Sequence, residues 1–396
     1  MSIAGHSPRP CPACGAPTHE RVWRQDFARI EGVSILDGYD VVACRSCGMT
    51  FADGIPTQPV FDRYYREASK YEFHQRGGAE SAHDAARLAI TADAIASRVT
   101  DRGVRILDVG CATGRLLAEL RSRGFTDLRG IDPSPACVAA ARDRYGVQAD
   151  VATIAQLGDA DGRFDLIILV GVLEHLVDLD LALAQLRSRL APRGMIYVEV
   201  PDVAGFPDWP NAPFQEFSVE HVNFFSSASL KRALGARGFS AEWVERNARE
   251  QSSGVTVANI AALFRNGART DVVPGVDYDS RAAVERYVAR CATDERELHM
   301  RIDVIVAAGE PIIVWGTGTL TLRLLATSAL ARATIVAFVD SNARYQGHAL
   351  CGAAVLAPWD IGSRSEPVVI VSRGFAQEIR DQIETELGPG RRVIAL

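Results

Sequence analysis

Two adjacent residues, Glu220 and His221, stand in the stretch QEFSVEHVNFFS, among aromatic neighbours. Histidine titrates near neutrality, so it takes a proton from a carbon acid or a hydroxyl with little tuning. A carboxylate beside it orients a substrate hydroxyl or raises the imidazole's basicity. His221 is therefore the candidate base and Glu220 its partner; the plain alternative is a half-buried structural pair. His175, in VLEHL, is the candidate donor to the oxyanion that proton removal creates. Four cysteines form a second chemical set, Cys11 and Cys14 in CPACG and Cys44 and Cys47 in CRSCG, with 29 residues between the pairs. Two residues between thiols let both face one ion, and Gly15 or Gly48 permits the tight turn. Four thiolates close a tetrahedral Zn²⁺ site without an open position. The reading is a structural zinc ribbon over 1–56, with a redox pair as the alternative.

The rest of the composition narrows the partners. The chain has 396 residues, 47% hydrophobic and 23% charged, with a formal net charge of −6, which is ordinary for a globular chain of two to three domains. No basic stripe stands out, so a nucleic-acid backbone is not expected as a partner. The start, MSIAGHSPRPCPACG, has no apolar run of signal type, and the longest apolar runs are too short to span a bilayer. A cytoplasmic protein acting on a small molecule, as monomer or homodimer, is the expectation.

Several elements must position these groups. A helical segment over 57–100 precedes VRILDV, a short buried-strand pattern, which runs into Gly110-Cys111-Ala112-Thr113-Gly114 and an amphipathic helix. A second strand ends in Asp132, 24 residues after Asp108, and FDLIILVGV and GMIYVEV supply further strands. Strand and helix in alternation imply a parallel, doubly wound sheet over 101–270, with ligands at the carboxyl ends of the strands. Gly110 and Gly114 let backbone approach a ligand, and Asp132 can accept from ribose hydroxyls. An acid, Asp108, leads the turn, which suits an amino group better than a phosphate. A helical connector over 271–308 leads to a second Rossmann-like unit over 309–396. There IIVWG, Gly316-Thr317-Gly318 and a strand ending in Asp340 repeat the pattern, with Thr321 where a third glycine would stand. The fold class is α/β in three parts.

Neighbours on a regular strand point to opposite faces, so Glu220 and His221 share one site only where the chain turns. SSASLKRALGARGF reads as a serine-capped helix, which puts EHVNFF in a loop and short strand at the sheet's rim. Tyr64, Tyr65 and Tyr71 are expected either to cover the site or to pack. Trp209 and Phe214 lie on a proline-rich loop that could cover a sugar ring. Cys111 and Cys137 read as small apolar residues.

DVGCATG resembles motif I of class I S-adenosylmethionine-dependent methyltransferases, departing at Ala112, where many members carry glycine. VLEHL resembles the same family. That resemblance implies S-adenosylmethionine as cofactor, held by Asp108, Gly110, Cys111, Ala112, Gly114, Asp132, Leu173 and Glu174. The whole order, with CPACG, CRSCG, EHVNFFS, VWGTGT and VDSNARYQGHALCG, resembles the zinc-ribbon-containing sugar C-methyltransferases that act on nucleotide-linked keto-deoxysugars. It implies structural Zn²⁺ on Cys11, Cys14, Cys44 and Cys47, and substrate contacts from Tyr71, Ser218 and Asn223. In that family a tyrosine often stands two residues before the glutamate; here it is Ser218. Methylation at carbon through an enolate is the main expectation. Sugar or glycan O-methylation, an RNA methyltransferase with a zinc ribbon, and a non-catalytic scaffold stay open.

Overall fold

The computed structural model describes residues 8–67, 80–209, 211–252, 255–268, 275–388 and 390–396. Tyr71 lies outside them. The N-terminal unit carries β1 (His19–Asp26), β2 (Gly38–Cys44) and β3 (Thr50–Asp53), then α1 (Gln58–Glu67) and α2 (Ala82–Arg98). The central unit runs β4 (Arg105–Val109), α3 (Arg115–Ser122), β5 (Asp127–Asp132), α4 (Pro135–Tyr145), β6 (Gln148–Val151), β7 (Phe164–Val170), α5 (Leu179–Arg189), β8 (Leu190–Pro201), β9 (Asn223–Phe224), α6 (Ser227–Gly235), β10 (Phe239–Ser252) and β11 (Val255–Asn266). After α7 (Tyr278–Ala308) come β12 (Ile312–Trp315), α8 (Thr319–Thr327), β13 (Ile335–Val339), β14 (Ala349–Leu350), β15 (Ala353–Leu356), β16 (Val368–Ile370), α9 (Ala376–Glu386) and β17 (Val393–Ala395).

The central sheet has the order β10-β11-β8-β7-β4-β5-β6. Its five strands β8, β7, β4, β5 and β6 pair in parallel, as strand–helix alternation predicts. The expected wholly parallel sheet needs correction at one edge. β10 and β11 form a hairpin, and β11 pairs antiparallel to β8. A hairpin needs no crossover helix, so the alternation that marks the first five strands stops there. The chain order puts β4 in the middle and reverses direction beside it, so the ends of β4 and β7 open a crevice.

The ribbon sheet has the order β1-β2-β3-β9, and its last strand comes from the central unit. Thr50 faces Phe224 and Phe51 faces Asn223 across that pair. EHVNFF therefore runs into the ribbon's edge and not along the rim of the central sheet, which corrects the expectation. Pairing covers an edge that β3 would otherwise leave exposed. The following helix α6 is capped by Ser226, whose hydroxyl accepts from Ser229 N, as the serine run predicts.

The ribbon is wedged between the other two units. Its Val42, Met49 and Phe51 share an apolar core with the central sheet. Its Phe27, Tyr39 and Val41 share another with α7 and the C-terminal unit. Arg323 of α8 pairs with Glu295 of α7 and donates to Gln25 of β1 at 2.6 Å, all three buried. Phe214 is fully buried, stacked 4.6 Å from Trp23 with the Arg323 guanidinium 3.9 Å over its ring. It is a packing residue, so the notion that it covers a sugar ring is corrected; Trp209, half-buried, is the only aromatic of that loop's pair left near the surface. The C-terminal sheet, β14-β15-β13-β12-β16-β17, is parallel apart from β14. No helix among the described residues is long and apolar enough to cross a membrane.

Candidate active site

The glycine turn sits between β4 and α3. Gly110 and Gly114 have φ of 71° and 82°, and Ala112, at 46°, shares that left-handed region. An alanine there carries roughly 1–2 kcal/mol of strain; glycine would not. A Cβ on Gly110 would stand 3.0 Å from Val172, so the turn and the loop after β7 meet backbone to side chain with no room between. The Cys111 thiol points away, into an apolar pocket with Leu117 and Val138, leaving only its backbone toward the crevice. Glu80, before α2, accepts from the Thr113 hydroxyl and, at 2.6 Å, from Tyr145.

Asp132, at the end of β5, accepts from Ala112 N and Ser134 N, one on each carboxylate oxygen at 2.9 Å. Asp108 is buried on β4. Burial, and then the Asp132 carboxylate, push its carboxyl up to about 8. A carboxyl so placed is drawn to a cationic partner, which would restore its charge. The strained turn, the two acids and the tight approach of Val172 fit a cofactor with an amino group and a ribose.

Glu174 and His175 lie on a 3₁₀ turn after β7, and Glu220 and His221 lie on the approach to β9. The two segments are bound together. Val222 N donates to Glu174 O at 2.8 Å, and the Asn223 amide donates to Leu173 O and Leu176 O at 2.7 and 2.8 Å. Asn223 is buried, and its oxygen accepts from Arg9. It is a clamp, which corrects its expected place as a substrate contact. The Ser218 hydroxyl accepts from Glu220 N and His221 N at 3.3 and 3.2 Å. Ser218 thus makes the turn that Glu220 and His221 need to serve one site.

The side chains meet as the sequence reading expects. The His175 and His221 rings stand edge to face, 4.9 Å apart. Glu174, 3% exposed, places Oε1 3.9 Å from His175 Nε2. Tyr64 donates to Glu220 Oε1 at 2.9 Å, and the Tyr65 hydroxyl meets His175 Nδ1 at 2.9 Å. Both tyrosines thus touch the candidate residues Glu220 and His175 directly. Burial first, and Glu220 next, hold both hydroxyls well above the ordinary tyrosine range. Tyr345 of the C-terminal unit is pushed up to about 12 by the same two causes.

Arg9, just before the first cysteine, is a residue that sequence reasoning missed. Its guanidinium donates to Val222 O, Val177 O and Asn223 Oδ1 at 3.0, 2.7 and 2.9 Å, and to Ala52 O and Leu176 O at 3.3 Å. Burial lowers its pKa to about 10, still charged at neutral pH. No local pattern marks an arginine four of whose five acceptors lie more than 160 residues away. The four cysteines converge beside it, with all four sulfurs within 4.8 Å and the Cys11–Cys47 and Cys14–Cys44 pairs each at 3.6 Å. Thiolates about 2.3 Å from a tetrahedral zinc stand about 3.8 Å apart, so the cluster fits that ion.

Comparison with known proteins agrees with this geometry. Residues 80–242 match the family model described as a methyltransferase domain, and residues 309–394 match one described as C2185-like, N-terminal. The ubiquinone biosynthesis O-methyltransferase of Azorhizobium caulinodans is 37% identical over 160 residues, 35% of this chain and 59% of that protein. That of Bradyrhizobium diazoefficiens is 36% identical over 100 residues, 24% of this chain and 39% of the other. The chain thus spans about half the length of the curated relatives it matches. The Burkholderia thailandensis 1,6-didemethyltoxoflavin-N1-methyltransferase structure, 17% identical, overlaps 56% of this chain and 97% of its own at a TM-score of 0.42, too loose to argue from. The match over 80–242, with the turn and the acids that lie inside it, means that this chain carries a class I S-adenosylmethionine-dependent methyltransferase domain.

Proposed function

We propose that the chain methylates a nucleotide-linked keto sugar, at carbon. The observation that carries the reading is the meeting of Glu220, His221 and His175 in the crevice beside the glycine turn. S-adenosylmethionine supplies an electrophilic methyl on a sulfonium; Asp108, Asp132 and the backbone of 110–114 are the groups that would hold it. The chain's own task is then to make a nucleophile. The Glu220–His221 pair takes the proton alpha to the ketone, and the C–H electrons move to give an enolate. His175 faces the developing oxyanion. The enolate carbon forms the new C–C bond as the carbon–sulfur bond breaks, its electrons staying on sulfur. Tyr64 and Tyr65 hold the acid and the imidazole in place from α1.

The ribbon has a scaffolding part in this reading. Four thiolates around Zn²⁺ fix the knuckles, and Arg9 carries that rigidity to the segments bearing the site. With its faces buried against both other units, it offers little surface for gripping RNA. O-methylation is the second reading, favoured by the curated relatives being named O-methyltransferases.

Methyl-labelled S-adenosylmethionine, purified protein and a panel of nucleotide-linked sugars with and without a keto group test both. A carbon-bound methyl by NMR, formed from keto sugars alone, is the expected product. A methyl on oxygen would replace the enolate with an alkoxide. No product from any sugar would sink the substrate class. His221→Ala is expected to abolish turnover while cofactor affinity stays within about twofold.

A further inference from the structure

We propose that Tyr345, in the loop after β13, is a positioning residue of the acceptor side: its hydroxyl steadies that of Tyr64, and Tyr64 aims the Glu220 carboxylate. The inference deepens the proposed function and rests on that reading's use of Glu220. It makes the C-terminal unit a working part of the site.

Helix α1 is the link. At its start Gln58 accepts from Val177 N at 2.8 Å, which ties the helix to the turn after β7. Near its end Tyr64 donates to Glu220 Oε1 and the Tyr65 hydroxyl meets His175. Glu67, its last residue, receives the Arg344 guanidinium on its backbone carbonyl and on its carboxylate, the latter at 3.4 Å. The helix that carries both tyrosines is thus pinned to the central unit at one end and to the C-terminal unit at the other.

The loop that brings Tyr345 is closed on itself. Asp340, at the end of β13, accepts from Thr317 N and the Thr317 hydroxyl on one oxygen, at 2.8 and 2.6 Å, and from Asn342 N on the other, at 2.8 Å. Asn342 accepts in turn from Arg344 N on its side chain and from Tyr345 N on its carbonyl, both at 3.0 Å. The Gln346 amide donates to Asp340 O at 2.9 Å. Tyr345 is therefore held from its own backbone outward, and its ring packs against the core shared by the ribbon and the C-terminal unit. Its hydroxyl meets that of Tyr64, and after burial the Glu220 carboxylate acts on it most strongly.

The direction of the bonds follows from the donors available. A tyrosine has one hydroxyl hydrogen. Tyr64 spends its own on Glu220 Oε1 at 2.9 Å. Toward Tyr345 its oxygen only accepts, so Tyr345 is the donor. Hydrogen bonds in a chain polarise one another, and an oxygen that accepts becomes the better donor. The order Tyr345, Tyr64, Glu220 therefore tightens the hold on the carboxylate. A donor fixed on a closed loop also narrows the arc through which the Tyr64 hydroxyl can swing.

The first readout needs no acceptor. Full-length protein is made with tyrosine isotopically labelled at Cζ, whose NMR resonance reports hydrogen bonding at the phenol oxygen. Tyr345→Phe and Tyr64→Phe each delete one resonance and so assign it. Tyr345→Phe is expected to shift the Tyr64 resonance, Tyr64→Phe the Tyr345 resonance, and Glu220→Gln both. The second readout is turnover of a keto sugar. It is expected to fall roughly three- to tenfold in Tyr345→Phe, in kcat, with cofactor affinity unchanged. The double variant is expected to match Tyr64→Phe within about twofold, because a hydroxyl that acts through Tyr64 has nothing left to act on. Cofactor binding by calorimetry confirms that each variant is folded. A Tyr64 resonance that stays in place in Tyr345→Phe, or losses that multiply in the double variant, overturns the proposal. Coupled resonances in a chain that methylates no sugar sink the substrate reading alone. Carbon methylation of keto sugars by Tyr345→Phe at the wild-type rate sinks the positioning role alone.

Discussion

Arg9→Met removes five hydrogen-bond donations while keeping a side chain of similar length. The acceptors belong to three segments: the ribbon at Ala52, the turn at Leu176 and Val177, and the strand approach at Val222 and Asn223. Bonds from a charged donor contribute roughly 1.5–3 kcal/mol each. They share one guanidinium, so they do not add; about 3 kcal/mol in total is a fair expectation. At about 1.4 kcal/mol per factor of ten, that is about a hundredfold loss in the equilibrium that keeps the segments docked. The reporter is the Val222 amide, which donates to Glu174 O. Its hydrogen exchange, with that of residues 173–177, should accelerate about a hundredfold in Arg9→Met, while amides in β4 and β5 keep their rates. Acceptor turnover should fall by a similar factor, with cofactor affinity within about twofold. Unchanged exchange at Val222 would refute the clamp. A parallel loss of cofactor affinity would show that Arg9 supports the whole domain and not the acceptor side.

Three further outcomes follow from the structure. Asp108 keeps its proton in the fold up to a pKa of about 8, while an unfolded aspartate loses it near 4. The cofactor-free chain should lose stability as pH rises between those values, by up to about 1.4 kcal/mol per pH unit, and Asp108→Asn should flatten the slope; equal slopes in urea titrations would disprove this. Arg249→Ala strands the buried Glu199 carboxylate beside Thr91 and Tyr197 and should cost about 3–5 kcal/mol, with Glu199→Leu added back restoring most of the melting temperature. Tyr64→Phe removes the hydroxyl that donates to Glu220 and should lower turnover about tenfold at unchanged cofactor affinity; loss of both together would make Tyr64 a fold residue.

What could be read from the chain was whatever is written locally. DVGCATG, the strand before it and Asp132 lie within one strand–helix–strand repeat, so spacing alone brings them together. The cysteine pairs announce themselves because a knuckle is five residues long. His175 and His221 were legible as base and donor of one site; the contacts that bring them together, from Val222 and Asn223 back to the turn after β7, were not. The β10–β11 hairpin was missed because its strands run 14 and 12 residues, with polar residues interleaved, after a helix where a crossover was expected. Asn223 was placed at the substrate by the resemblance alone, and only its burial and its bonds to Leu173 O and Leu176 O show its amide to be spent on carbonyls. Phe214 was misplaced for a like reason: a proline-rich loop reads as surface, yet the cation of Arg323 and the Trp23 ring pull this one inward.

The fourth strand of the ribbon sheet has a consequence for how the protein is made. About 170 residues separate the end of β3 at Asp53 from the start of β9 at Asn223. At roughly 5–20 residues per second on the ribosome, the first three strands leave the exit tunnel on the order of ten to thirty seconds before the fourth. During that wait the edge of β3 is open, with Thr50 and Phe51 exposed to any passing strand. A metal ion captured early by the two knuckles would hold the nascent sheet in register through the interval. Cells starved of zinc should then accumulate this protein as aggregates formed during synthesis, even if the finished enzyme tolerates losing the ion.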